Sequence, residues 1–322
     1  MSSILALLKK YRGTILLILI LALTARVFLP QLGSLVESLQ VLKEANLGWL
    51  LLGVLLFYSG IPVMAAQLSV LTFKKLAYIL TLKVQVAALF INKLLPQGVG
   101  TISLNIFYFI KSKHTANQAT TIMAVNAAVS LVAYILLIIF ALLFSDVSVN
   151  GLFTSNDVHI NIGILGVLGI VALIITLATA GKLRKKIADA WKNFKLNVAH
   201  YKSRPKSLLI NLVLNGIGTS VNVLTLMCCA QAIGVDISFA DALIAYTFGN
   251  IAATVVPTPG GIGSAEMGIY SGLVIVGVDG SVAITITLLY RLISYWLSII
   301  PGYLQFRNLR KTVFSDYRAK AE

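Results

Sequence analysis

The sequence predicts an all-α polytopic membrane protein, built as an inverted repeat of two four-element halves with six full spans and two re-entrant hairpins. Three observations carry this expectation. The composition is 58% hydrophobic and only 11% charged, with a mean hydropathy of +0.91, whereas soluble domains carry about 25% charged residues. The cations cluster in short connections between apolar runs. A proline-glycine pattern occurs once in each half.

The net charge of +15 raises a nucleic-acid partner, and the placement of the basic residues argues against one. Twenty-two of the 26 Lys and Arg residues lie in five hydrophilic patches, and none carries the interleaved aromatics of a nucleic-acid groove. Cys228 and Cys229 are adjacent within an apolar run, a spacing that suits neither a relaxed disulfide nor a metal site, so both read as small buried hydrophobes. His114, His159 and His200 are scattered over separate connections, which leaves no metal-ligand or nucleophile-base set. No nucleotide motif is present either, so no cofactor is expected. The N-terminal apolar run is long and lacks a small-residue cleavage site, and it reads as a first span rather than a signal peptide.

The apolar segments fall at about 14–30, 48–70, 84–110, 118–144, 160–181, 207–233, 240–278 and 281–306. Their lengths start at the lower end of the ~17–25 residues that a membrane helix requires. Short basic connections stay cytoplasmic. That places inside the N-terminus with Lys9, Lys10 and Arg12, the 74–83 loop with Lys74, Lys75 and Lys83, and the 111–117 loop with Lys111 and Lys113. The long 182–206 loop and the tail with Arg307, Arg310, Lys311, Arg318 and Lys320 join them. The remaining connections hold Glu37, Glu44, Asp146, Asp157, Asp236 and Asp279, with Lys43 as their cation, and face outward.

Traced through these assignments, segment three begins and ends at basic loops and segment seven begins and ends on the acidic side. Both are therefore expected to be re-entrant. The order span, span, hairpin, span then repeats from the other face. This divides the chain into a first repeat at 1–144, a second at 145–306 and a basic tail at 307–322. The hairpins share a pattern: Pro96-Gln97-Gly98-Val99-Gly100-Thr101 and Pro259-Gly260-Gly261-Ile262-Gly263-Ser264, offset by 163 residues.

Proline removes an amide donor and glycine permits left-handed backbone, so each pattern should end one half-helix and turn the chain, with Thr101 and Ser264 at N-cap positions. Broken backbone within hydrocarbon is tolerated where protein buries it or water reaches it, which implies a polar cavity near the midplane. The amides opening each second half-helix favour phosphate or carboxylate. Glycines that only allow close helix packing are the alternative.

Glu266 lies in the first turn after Gly263, and Arg291 about ten residues into the last span. The two are expected to pair, either around a lipid phosphate or as a static bridge. Asn92 and Lys93 precede Pro96, where Lys93 either reaches a headgroup or snorkels to the interface. Arg26 reads as an interfacial anchor. The 182–206 loop, with Trp191, Phe194 and Tyr201, reads as an amphipathic helix on the anionic leaflet or as a solvated, topology-setting loop.

At these residues the chain resembles the lysylphosphatidylglycerol synthase transmembrane-region family. The resemblance rests on Asn92-x-x-x-Pro96-x-Gly98-x-Gly100 and on Pro257-x-Pro259-Gly260-Gly261-x-Gly263-x-x-Glu266, followed by Arg291 in Leu289-Tyr290-Arg291-Leu292. It extends over most of the chain. The family includes the flippase half of bifunctional multiple peptide resistance factors, so the resemblance implies lipid translocation with these residues at the headgroup. Family members usually carry an acidic residue where this chain has Ser103, and an arginine where it has Asn126. The chain ends 16 residues after the last span, so the resemblance implies no synthase activity.

The function expected is flippase-like movement of a phospholipid or another anionic lipid headgroup between leaflets of the inner (plasma) membrane, with both termini cytoplasmic. Its partners would be membrane lipids, with a homo-oligomer or an envelope enzyme as a further partner. The alternatives are a membrane-embedded transferase using Glu266 as its acid-base group, and a non-catalytic subunit of an envelope lipid enzyme.

Overall fold

The computed structural model describes residues 45–96, 98–144, 198–256 and 258–312. The expected spans 14–30 and 160–181, Arg26, the 182–197 part of the long loop, Gln97, Pro257 and the end of the tail lie outside the described residues. Those described are helical, without a strand.

Among the described residues, four helical stretches are long and apolar enough to cross a bilayer: Leu47–Leu71, Ala116–Ala141, Pro205–Gln231 and Gly280–Thr312. They coincide with four of the expected spans. We label the helices α1 (Leu47–Leu71), α2 (Tyr78–Leu94), α3 (Val99–Lys111), α4 (Ala116–Phe144) and α5 (Pro205–Gln231). The second group is α6 (Phe239–Val255), α7 (Ser264–Ile275), α8 (Gly280–Arg291) and α9 (Ile299–Thr312), with a π-helical turn at Leu292–Trp296 joining the last two. α2 begins before the expected boundary of 84. Thr81 and Val84 are buried while Lys83 faces out, so Lys83 rides the outer face of the first turns instead of ending a loop.

α1 and α5 pack side by side because small residues let them approach. Gly53 lies against Cys228, and a Cβ at Gly218 would come within 2.9 Å of the Gln67 amide nitrogen. Polar groups then bond across the seam: Gln67 Nε2 donates to the Leu214 carbonyl at 2.9 Å, and Asn211 Nδ2 to the Gln67 carbonyl at 2.8 Å. Asn211 Nδ2 also reaches Asn126 Oδ1 on α4 at 3.0 Å. Small residues and interhelical hydrogen bonds are the usual means of association in lipid, where burying apolar surface gains little.

The distribution of exposure is inverted relative to a soluble protein. Asn105, Asn211, Gln85 and Thr225 are almost wholly buried, whereas Leu55 is 68% exposed and Ile300 70%. Isolated buried polar groups are costly unless bonded. Here they are bonded: Gln85 Nε2 donates to Asn105 Oδ1 at 2.8 Å, and the Thr81 and Tyr108 hydroxyls lie 2.9 Å apart. The chain is a multi-pass α-helical membrane protein.

Two apolar clusters divide the bundle. One gathers Leu50, Leu226, Leu243, Leu273 and Ile286 around α6 and α7. The other gathers Leu71, Val84, Leu104, Ile122 and Leu309 around α2 and α3. The two ends of the bundle differ in charge. At one, the Asn46 amide donates to the Ala232 carbonyl at 2.6 Å, and Asp279 caps α8 by accepting from the Ser281 amide at 2.9 Å. At the other, Lys74 Nζ donates to the Lys113 carbonyl at 2.6 Å and Arg204 Nη1 to the Thr72 carbonyl at 3.2 Å. Tyr201, from the long basic loop, is buried there, and its hydroxyl donates to the Leu71 carbonyl at 2.6 Å. It serves as a packed clamp between elements, which neither sequence reading of that loop anticipated.

Candidate functional site

Both proline-glycine stretches break a helix where the backbone chemistry requires it. α2 stops at Leu94 and α3 starts at Val99, while α6 stops at Val255 and α7 starts at Ser264. Gly98 and Gly263 occupy the N-cap positions with φ of +82° and +76°, values open to glycine and strained for other residues. Thr101 and Ser264 were expected as N-caps. Both instead lie inside the first turn of their helices, and the glycine preceding each helix takes the cap position.

Other side chains brace the two loops. Asn92 Oδ1 accepts from the Gly98 amide at 2.8 Å. In the second loop the Thr258 hydroxyl donates to the Ile262 carbonyl at 2.8 Å and lies 3.1 Å from the Ser264 hydroxyl. Gly100 has a packing role as well, since a Cβ there would meet the Ile91 carbonyl oxygen at 2.6 Å. Its missing side chain is what allows the two arms of the first pair to close.

The tips of the two helix pairs touch. Pro96 and Pro259 form an isolated antiparallel bridge, and the Gly260 amide donates to the Leu95 carbonyl at 3.0 Å. Gly260 and Gly261 both have positive φ, +62° and +70°. The amides of Val99, Ala265 and Met267 close local turns onto Pro96, Gly261 and Gly263, so the cationic character of this region comes chiefly from side chains.

Three charges converge behind the tips. Arg291, at the end of α8 and 8% exposed, donates through Nε to Glu266 Oε1 at 2.7 Å, so the expected pairing is present. Its Nη2 also lies 3.4 Å from the Gly260 carbonyl. Lys93 points inward, with Nζ donating to the Ser294 carbonyl at 3.0 Å. The ring of Tyr295 lies 4.6 Å from both Lys93 Nζ and the Arg291 guanidinium carbon, a distance at which a π face attracts a cation. Lys93 thereby joins the first half to the last span.

Tyr295 and Ser294 did not emerge from the sequence as site residues. The signal was faint: Tyr295 follows Arg291 by four residues and so shares its face of a helix. The π-helical turn containing both is a feature frequent at functional sites. Tyr295 is 1% exposed, and neither its hydroxyl nor Glu266 Oε2 has a hydrogen-bond partner among the described residues.

Among the described residues, the first half has no matching charge pair. Ser103 faces outward on α3, and Asn126 bonds to Asn211 in the seam with α5. A cavity of about 710 Å³ lies elsewhere, at the acidic end, lined by Asn46, Gln231, Ser281 and Thr285 among others. None of the candidate residues lines it.

The family model described as the lysylphosphatidylglycerol synthase TM region matches residues 5–302. A UPF0104 membrane protein of Methanothermobacter thermautotrophicus is 28% identical over 113 residues, covering 35% of this chain and 34% of that protein. The chain thus aligns with about a third of that relative's length. A UPF0104 membrane protein of Pyrococcus horikoshii is 22% identical over 349 residues, covering 96% of this chain and all of that protein.

Proposed function

The chain belongs to the lysylphosphatidylglycerol synthase transmembrane-region family, and from that premise we propose that it translocates a lipid with an anionic headgroup between membrane leaflets. The observation that carries the reading is the meeting of two broken helix pairs at Pro96 and Pro259, with Lys93, Glu266 and Arg291 gathered behind the junction. Irregular backbone at membrane depth is characteristic of sites where a polar solute passes.

Each pair enters the inner membrane as a re-entrant hairpin, from opposite faces. The tip contact supports an inverted repeat, since Pro259 lies 163 residues after Pro96 at the equivalent position of the motif. An antiparallel bridge between equivalent residues is the contact that a local two-fold axis produces. The basic end, with Lys74, Lys113 and Arg204, faces the cytoplasm.

The headgroup moves past the tips while its acyl tails stay in lipid. Lys93 and Arg291 attract the phosphate, and Glu266 holds Arg291 in place and competes with the phosphate for it at release. Asn92, Gly98, Gly100 and Thr101 shape one wall, and Pro259, Gly260, Gly261, Gly263 and Ser264 the other. The tip contact opens toward one leaflet at a time.

A leaflet-resolved assay of labelled phospholipids in proteoliposomes tests this. The wild type is expected to move lipid, and the Glu266→Gln, Arg291→Met double variant to fall to the rate of empty vesicles. Equal rates for the two proteins would overturn the proposal.

A further inference from the structure

Among the described residues, two of the spans pass from one apolar cluster of the bundle to the other by way of a proline. α1 contributes Leu50 to the cluster around α6 and α7, and Leu68 and Leu71 to the cluster around α2 and α3. Pro62 lies between them, inside the helix. The last span divides likewise: Ile286 and Leu289 belong to the first of these clusters and Leu309 to the second, with the π-helical turn Leu292–Trp296 and Pro301 between. α8 is thereby fixed to the second helix pair, through Arg291 and Glu266. α9 is fixed to the first, where a Cβ at Gly302 would meet the Phe90 amide nitrogen at 2.8 Å and the rings of Phe90 and Tyr303 lie 5.4 Å apart.

Proline cannot donate to the carbonyl four residues before it. The carbonyls so released are those of Tyr58 in α1 and Leu297 in the last span, and the Tyr58 hydroxyl donates to the Leu297 carbonyl at 2.9 Å. A side chain from one break therefore closes the other. Side chains also serve the backbone on either side of it. The Ser294 carbonyl accepts from Lys93 Nζ at 3.0 Å and from the Ser298 hydroxyl at 3.1 Å, and the Tyr295 carbonyl accepts from the same hydroxyl at 2.8 Å. The Leu297 amide reaches back five residues to the Leu292 carbonyl at 2.9 Å. Prolines and π-helical turns are where helices bend, and bonds from side chains are what keep the freed backbone satisfied in lipid.

We propose that Pro62, Pro301 and the π-helical turn form a joint between two rigid blocks of the bundle, each carrying one helix pair, and that the hydrogen bond from Tyr58 to Leu297 is its latch. α4, with Ile122 in one cluster and Ala141 in the other, crosses unbroken and is the axis the blocks share. Bending at the joint carries α8 and Arg291 with the second pair and leaves Lys93 with the first, so it parts Pro96 from Pro259. A carbonyl left open to hydrocarbon is costly, and Tyr58 therefore holds the blocks in the closed arrangement. Hinges are commonly a few residues at element ends that absorb the change while the packed bodies stay intact.

The joint is tested on the purified full chain in detergent. Tyr58→Phe removes one oxygen and should lower the unfolding temperature by about 2 °C or more, the size of a lost hydrogen bond in a large chain. In a Pro301→Ala background the alanine amide can donate to the Leu297 carbonyl, and the same change should have no effect. Spin labels on Ile284→Cys and Leu304→Cys, with Cys228 and Cys229 replaced by Ala, report the angle between α8 and α9; both positions face outward, at 50% and 56% exposure. Tyr58→Phe should broaden the distribution of distances between the labels, and Pro301→Ala should narrow it. Equal losses of unfolding temperature in the two backgrounds, or one unchanged distribution in all three proteins, would overturn the inference. Neither readout involves lipid movement, so the joint and the translocation proposal stand or fall separately.

Discussion

Gly260 donates its amide to the Leu95 carbonyl at 3.0 Å and so ties the second helix pair to the first. It has no room for a side chain: a Cβ would lie 2.7 Å from Tyr295 Cε2 and 3.2 Å from the Lys93 Cα, at a φ of +62°. Gly98, with a φ of +82°, has nothing within 4 Å of the same position. Gly98→Ala should therefore cost only the backbone term, about 1–2 kcal/mol. Gly260→Ala should cost more and displace Tyr295. Thermal unfolding of both variants in one detergent checks the ranking, and equal losses would mean that the tips are not closed on Tyr295.

Arg291 and Glu266 form a largely buried ion pair at 2.7 Å. Removing one partner strands a charge, which typically costs about 3–5 kcal/mol, while removing both costs less than the sum. Arg291→Met and Glu266→Gln should each lower the unfolding temperature, and the double variant should lower it by less than the sum of the two single effects. A double-mutant cycle measures the coupling. Additive losses would indicate that the two side chains do not meet.

Much of this arrangement was legible in the sequence because proline, glycine and charge have few uses inside a membrane. Pro96, Gly98, Pro259 and Gly263 announced broken helices, and Glu266 and Arg291 were the ionisable groups with no place in lipid except beside each other. What the sequence could not convey is distance in space. Lys93 and Tyr295 are some 200 positions apart, and nothing in their spacing reveals that an ammonium lies 4.6 Å from the ring centroid. The caps were misassigned for a local reason: a hydroxyl residue is the usual cap, but the left-handed turn before α3 and α7 favours glycine there. Tyr201 was obscured by its basic neighbours, which describe a solvated loop, while its own ring is buried.

His114 links stability to pH at the basic end. It is 4% exposed and accepts the Lys74 amide on Nε2 at 3.3 Å. Burial lowers its pKa below the usual histidine value of 6.5, opposed in part by the carbonyls of Phe109 and Ser112, with Lys74 lowering it further. The folded state thus prefers neutral imidazole, and the unfolded chain takes up the proton first as pH falls. Stability should be full above about 6.5 and decline from there through the lower folded pKa. Unfolding temperature measured across this range should drop for the wild type and change less for His114→Gln. The same slope in both proteins would assign the effect to other groups.

Pro96 and Pro259 allow the tip contact to be trapped. Residues facing each other in an antiparallel bridge have Cα atoms about 4.5–5.5 Å apart, within the span that a disulfide bridges. Cys228 and Cys229 are free and buried; replacing both with Ala removes them from the experiment. In that background, Pro96→Cys with Pro259→Cys should form a disulfide on oxidation, visible as a shift in mobility after cleavage of a protease site engineered between the halves. If lipid passes between the tips, oxidation should halt movement in the proteoliposome assay and reduction should restore it. Unchanged movement with the disulfide fully formed would show that the tips need not part, and would place the lipid path elsewhere on the bundle.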